Sequence, residues 1–161
     1  MSFYNMQETN NRLENVKKIL KKNNLDAAVV YFDQVNVADG WYLTGWCGQF
    51  EKGAVLVLAD SDPLLLGGPE CEPFAKMCSA ISDVRCFKPF MVPEEEYPNA
   101  TIITFEDLFH ELAGRGRVVL IADTHRHFQL AAAFGGIVDD LPGHHGLVGQ
   151  HHPLAAVGVQ L

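Results

Sequence analysis

Leu25-Asp26-Ala27-Ala28-Val29-Val30-Tyr31-Phe32 and, further on, Ala54-Val55-Leu56-Val57-Leu58-Ala59 are the two stretches whose reading decides the fold. Each carries a continuous apolar run of strand length with β-branched residues at its centre. Neither run alternates apolar with polar, so both faces of each strand are expected to be covered. A strand buried on two sides needs a layer packed against each face of its sheet, which is α/β architecture. Asp60-Ser61-Asp62-Pro63 is turn chemistry, and Leu64-Leu65-Leu66 then returns as a hairpin partner. A hairpin inside such a sheet makes it mixed, not purely parallel.

Upstream, Leu13, Val16, Ile19 and Leu20 recur at helical steps, with Arg12, Glu14, Lys17, Lys18, Lys21 and Lys22 on the other face. The lysines complement the negative end of the helix dipole, and Asn23-Asn24 end the helix. Downstream, Pro73 to Cys78 reads as a helix, Cys71 and Cys78 lie seven apart and are expected to share one face as small apolar packers, and Val84 to Phe87 reads as a short strand. Lys88 to Asn99, with three prolines and Glu94-Glu95-Glu96, reads as an exposed loop. Thr104-Phe105-Glu106-Asp107 has near-capping-box spacing and opens a helix that buries Leu108, Phe109 and Leu112. Val118 to Ala122 is a strand, Asp123-Thr124 caps a helix running through Phe134, and Ile137-Val138 is a last short strand. The expected order is α-β-β-β-α-β-α-β-α-β, a mixed β-sheet flanked by helices. Two segments are expected: a domain over residues 1–140 and an atypical Gly/His-rich tail over 141–161.

Composition limits the function. Among 161 residues, hydrophobic side chains make up 48% and charged ones 20%, the mix of one globular domain. The formal charge of −8 repels phosphate backbones, so nucleic acid is not an expected partner. No apolar run approaches the ~20 residues of a membrane span, and Met1 to Asn11 lacks a secretory apolar segment. Cys47, Cys71, Cys78 and Cys86 form no CxxC pair and read as free thiols, so a cytoplasmic location is expected.

Catalytic signatures are scarce. The sequence has no GxGxxG, GxxxxGK[ST] or GxSxG element. His125, His127, His144-His145 and His151-His152 are possible zinc or nickel ligands, but the glycines around the last two pairs give no frame for a fixed coordination geometry. The aromatic segment is more informative. Trp41, Tyr42, Trp46 and Phe50 gather beside Gly45, Gly48 and Gly53, with Gln49, Glu51 and Lys52 as polar tips. Two readings stay open: an apolar wall on a mobile loop, or rings that close the end of the core.

The helix carrying Arg12, the run Leu25 to Val30, the stretch Tyr42-Leu43-Thr44-Gly45-Trp46 and the strand Ala54 to Leu58 with its turn together resemble the N-terminal domain of the creatinase, prolidase and aminopeptidase P (Xaa-Pro peptidase) family. The Tyr-Leu-Thr-Gly-aromatic stretch is the most specific element, and the likeness spans roughly residues 10–140. It implies a ribonuclease-H-like chain path. It also implies a non-catalytic role ahead of a pita-bread metallohydrolase domain, supporting dimerisation and the mouth of the active site. On this resemblance Phe50 and Lys52 stand where family members contact substrate, as wall and charge partner, with Trp46 behind them.

The departures are equally specific. The family's catalytic domain binds metal through two aspartates eleven positions apart, a histidine and two glutamates, and no aspartate pair here has that spacing. No catalytic residue, metal ligand or cofactor is therefore assigned to this chain. Manganese, cobalt or zinc is expected only in a catalytic domain joined in cis or supplied in trans. The expected assembly is a homodimer, with no nucleic-acid or membrane partner. The alternative is a stand-alone module that binds a small ligand or a protein without hydrolase activity.

Overall fold

A computed structural model describes residues 6–46, 48, 52–69, 71–92, 97–98, 100–104, 106–108, 117–123, 137–145 and 154–160, with the backbone alone from residue 117 onward. Helix α1 spans Met6–Lys22 and buries Thr9, Leu13 and Leu20. Ile19, expected on that face, lies 43% exposed, because it sits to one side of the stripe that positions 9, 13, 16 and 20 trace. The helix ends in a Schellman motif. Asn24 takes a left-handed φ of 54°, Leu25 N–H donates to Leu20 O at 2.9 Å and Asn24 N–H to Lys21 O at 3.2 Å. Leu25 then packs beside Leu20 against the core.

Strand β1 (Ala27–Phe32) is buried at all six positions. It is central: it pairs antiparallel with β2 (Gly53–Leu58) and parallel with β6 (Arg117–Asp123). Strand β3 (Leu64–Gly67) closes the predicted hairpin on β2, and β4 (Asp83–Phe87) and β5 (Ile102–Ile103) extend that side in parallel. With β7 (Ile137–His145) and β8 (Leu154–Gln160) the sheet order is β5-β4-β3-β2-β1-β6-β8-β7. This is the mixed α/β sheet that the apolar runs demand.

Alternate side chains of the central strands feed two separate cores. Ala27, Val29 and Tyr31 join Leu56, Leu58, Leu66, Phe87, Phe90 and Leu108 on one face. Ala28, Val30 and Phe32 join Val55, Val57 and Leu65 on the other, under helices α1, α2 (Ala38–Thr44) and α3 (Cys71–Cys78). Such double coverage explains why the runs show no period of two.

Four expectations need correction. Residues 38–44, where the expected order has no helix between the first two strands, form helix α2. Lys88–Phe90 is a 3-10 turn, not exposed loop, because Phe90 is buried edge-on against Phe87 and Tyr31, with ring centroids 5.2 and 6.1 Å apart. Cys78, expected as an apolar packer, is an exposed free thiol, whereas Cys86 is a buried one. The strand expected at Ile137-Val138 runs on to His145, and β8 inserts between it and β6, where ladder bonds along both neighbours hold it. The near-capping box forms as read: Thr104 Oγ1 and N–H both donate to Asp107 Oδ2 at 2.7 Å, and Asp107 N–H returns to Thr104 Oγ1 at 3.2 Å. Leu108 is buried behind it, while Phe109, Leu112, the helix expected over 124–136 and the Glu94–Glu96 run lie outside the described residues.

Candidate functional site

The chain leaves β1 into a turn built on Asp33. This buried carboxylate accepts from the N–H groups of Val35 and Asn36, both at 2.9 Å, and from the Tyr31 hydroxyl at 3.3 Å. The first two bonds form an Asx-type turn that reverses the backbone and starts α2. Nothing in the sequence marks Asp33 beyond its place at the end of an apolar run.

Helix α2 is short, and its interior Gly40 is a poor helix former. The reason is packing. A Cβ on Gly40 would stand 2.4 Å from Cγ of Phe32, and one on Gly53 would stand 2.3 Å from Cζ of the same ring. Phe32 is therefore clasped between α2 and the start of β2 at two positions that only glycine can fill.

The Tyr42-Leu43-Thr44-Gly45-Trp46 stretch is the C-terminal end of α2, and each residue has a structural duty. Leu43 is core. Thr44 is wholly buried; its hydroxyl oxygen accepts from Trp46 N–H at 2.9 Å and lies 2.7 Å from both Gly40 O and Trp46 O, either of which can take its single proton. Thr44 O also accepts from Ala80 N–H at 2.7 Å, tying α2 to the segment after α3. Gly45 holds the left-handed conformation, φ 72°, and donates to Trp41 O. That turn delivers Trp46 onto Phe32, with ring centroids 6.2 Å apart and planes at 82°.

Trp41 and Tyr42 point outward, 49% and 51% exposed. Arg12 of α1 caps this surface: its guanidinium lies 4.3 Å from the Tyr42 ring centroid, donates to Tyr42 O at 3.1 Å and pairs with Glu8. Asp39, half-buried in the first turn of α2, has its carboxyl pushed above the usual range by desolvation.

Of the three residues with an expected substrate role, the structure places two. Trp46 is half-buried against Phe32, and Lys52 is exposed immediately before Gly53. Trp46 thus packs on the clasped ring and Lys52 directly precedes one of the two glycines that clasp it, while Phe50 lies outside the described residues. The sequence reading misses Phe32 and Gly40 as parts of this arrangement; a glycine beside an aromatic run is the only hint.

A second polar group sits across α3. The Cys86 thiol donates to Glu72 Oε2 at 2.9 Å, and Lys76 pairs with the other oxygen. The thiol's hydrogen bond, then that of Lys76, holds the Glu72 carboxyl below its ordinary range. Among the described residues no three His, Cys, Asp or Glu side chains converge as a group that could hold a metal ion. Among them, too, no helix is long and apolar enough to cross a membrane.

The fold defines a class. It is that of the N-terminal α/β domain of creatinase/prolidase proteins, as structural neighbours show. A proline dipeptidase from Streptococcus pneumoniae TIGR4 aligns with TM-score 0.54 and 22% identity over 76% of this chain and 84% of its own. The creatinase/prolidase N-terminal domain of an X-Pro dipeptidase from Streptococcus pyogenes aligns with TM-score 0.53 and 18% identity, covering 79% of this chain and 90% of that one. The prolidase of Pyrococcus horikoshii OT3 aligns with TM-score 0.52 and 17% identity over 78% of this chain but 30% of its own length. Neither a protein-family model nor a curated protein matches the sequence.

Proposed function

We propose that this chain is the non-catalytic N-terminal domain of a cytoplasmic Xaa-Pro dipeptidase or aminopeptidase of the pita-bread family. In this reading it supports a homodimer and borders the mouth of an active site whose divalent metal (manganese, cobalt or zinc) belongs to a catalytic domain outside residues 1–140. The carrying observation is the backbone match to 90% of a solved X-Pro dipeptidase N-terminal domain. In this reading Phe50 is the apolar wall and Lys52 the positive partner of a substrate carboxylate, with Trp46 behind them. The exposure of Lys52 at the β2 entrance agrees with that role. Large apolar side chains left exposed on helices α1, α2 and α3 (Met6, Trp41, Tyr42, Phe74 and Met77) supply surface of the kind that association buries.

Two measurements test the reading. Titration with Xaa-Pro dipeptides, followed by calorimetry, should give weak binding that Lys52→Ala and Trp46→Ala each reduce; a loss of about 2 kcal/mol is in scale for a buried aromatic anchor. Sedimentation should show a dimer at high concentration. A clean monomer removes the dimer role, and equal dipeptide affinity in all variants removes the site.

A further inference from the structure

We propose that Phe32 is the positioning residue of this site, fixing Trp46 and Lys52 together through one ring. The inference rests on the reading of Trp46 and Lys52 as substrate-facing, but the geometry that carries it does not involve those roles. The ring is wholly inside the core. It is held from one side by the backbone of Gly40 and from another by that of Gly53, each too near to admit a Cβ. Trp46 then stands edge-on against it, and Lys52 is bonded directly to Gly53.

A ring gripped by two backbones has little rotational freedom, since interiors are close-packed and any tilt drives it into one glycine or the other. What rests on it inherits that restriction. The indole of Trp46 takes its place from Phe32, and the Lys52 backbone takes its own from the Gly53 contact. Side chains that meet substrate need such support, because a loosely held group loses the geometry that makes it useful. The site is thus organised from beneath by an apolar side chain at the end of β1, with the Thr44 hydroxyl holding the backbone of Trp46 from the other direction.

The test uses the whole chain with Trp41→Phe, which leaves Trp46 as its single indole. In Phe32→Leu on this background, acrylamide quenching of Trp46 should rise about twofold once the shielding ring is gone, and its emission should move to the red. Adding Gly53→Ala to Phe32→Leu places a methyl in the vacated space. The unfolding temperature should then recover in part while Trp46 stays readily quenched, a separation that a purely structural role would not give. If Phe32→Leu does not fold, Phe32→Met serves the same comparison. Unchanged quenching in a folded variant overturns the proposal, as does quenching that returns to the parent value together with stability. No peptide or catalytic domain enters this measurement, so its failure is distinct from a failure of the dipeptide titration.

Discussion

Replacing Thr44 by valine removes one hydroxyl and almost no volume, and so isolates the hydrogen bonding at the end of α2. Gly40 O keeps its place in the helix ladder. Trp46 N–H, however, loses its 2.9 Å acceptor in a region where Thr44 is wholly buried. An orphaned buried amide costs about 1–3 kcal/mol. Taking about 2 kcal/mol, a chain of this size should lose about 4–8 °C of melting temperature. Urea denaturation followed by far-UV circular dichroism should show the midpoint falling with an unchanged slope, and Thr44→Ser should recover most of the loss because the oxygen stays. Thr44→Val with parental stability would refute the assignment of Thr44 as the bond that secures this turn.

Gly45→Ala forces a Cβ into a left-handed residue with φ 72° and should cost about 1–2 kcal/mol, read as a lower denaturation midpoint. Asp39→Asn should raise the melting temperature at pH 7 and not at pH 3. Burial raises the folded carboxyl's pKa, so the penalty is absent below the unfolded value and sets in as pH rises through the folded one; an equal effect at both pH values would contradict this. Glu72 is the opposite case. Its folded pKa is depressed by Cys86 and Lys76, so its contribution is present above the unfolded value of 4.5 and lost as pH falls through the folded one. Glu72→Gln should therefore lower stability at pH 7 and converge with the parent in acid, and parallel pH–stability curves would count against it.

The strands were legible because their cause is simple. Residues 27–32 and 54–58 are apolar throughout, and only a strand covered on both faces wants that pattern. The end of α1 was equally plain, since Asn24 tolerates the left-handed conformation a Schellman motif needs. Helix α2 stayed hidden for a physical reason. Its interior glycine and paired aromatics argue against a helix locally, yet Gly40 is there because the Phe32 ring occupies the space of a side chain. That contact is tertiary, and no local pattern encodes it. Phe90 makes the same point: between prolines and acids it reads as loop, and only its meeting with Phe87 and Tyr31 makes it core.

The Tyr-Leu-Thr-Gly-Trp stretch shows how much of the candidate site could be anticipated. The sequence flags it as distinctive, while the structure assigns its distinctiveness to helix termination: Thr44 bonds the turn, Gly45 reverses it and Trp46 is delivered by it. Residues that make a motif recognisable can thus be those that shape the backbone.

In the proposed role this chain contributes surface and support while bond cleavage belongs to another domain. The most direct test is to incubate the purified chain with Xaa-Pro dipeptides and manganese or cobalt, following release of free proline. No turnover above the metal alone is expected. Hydrolysis that co-purifies with the protein through successive columns, and disappears with chelator, would contradict it.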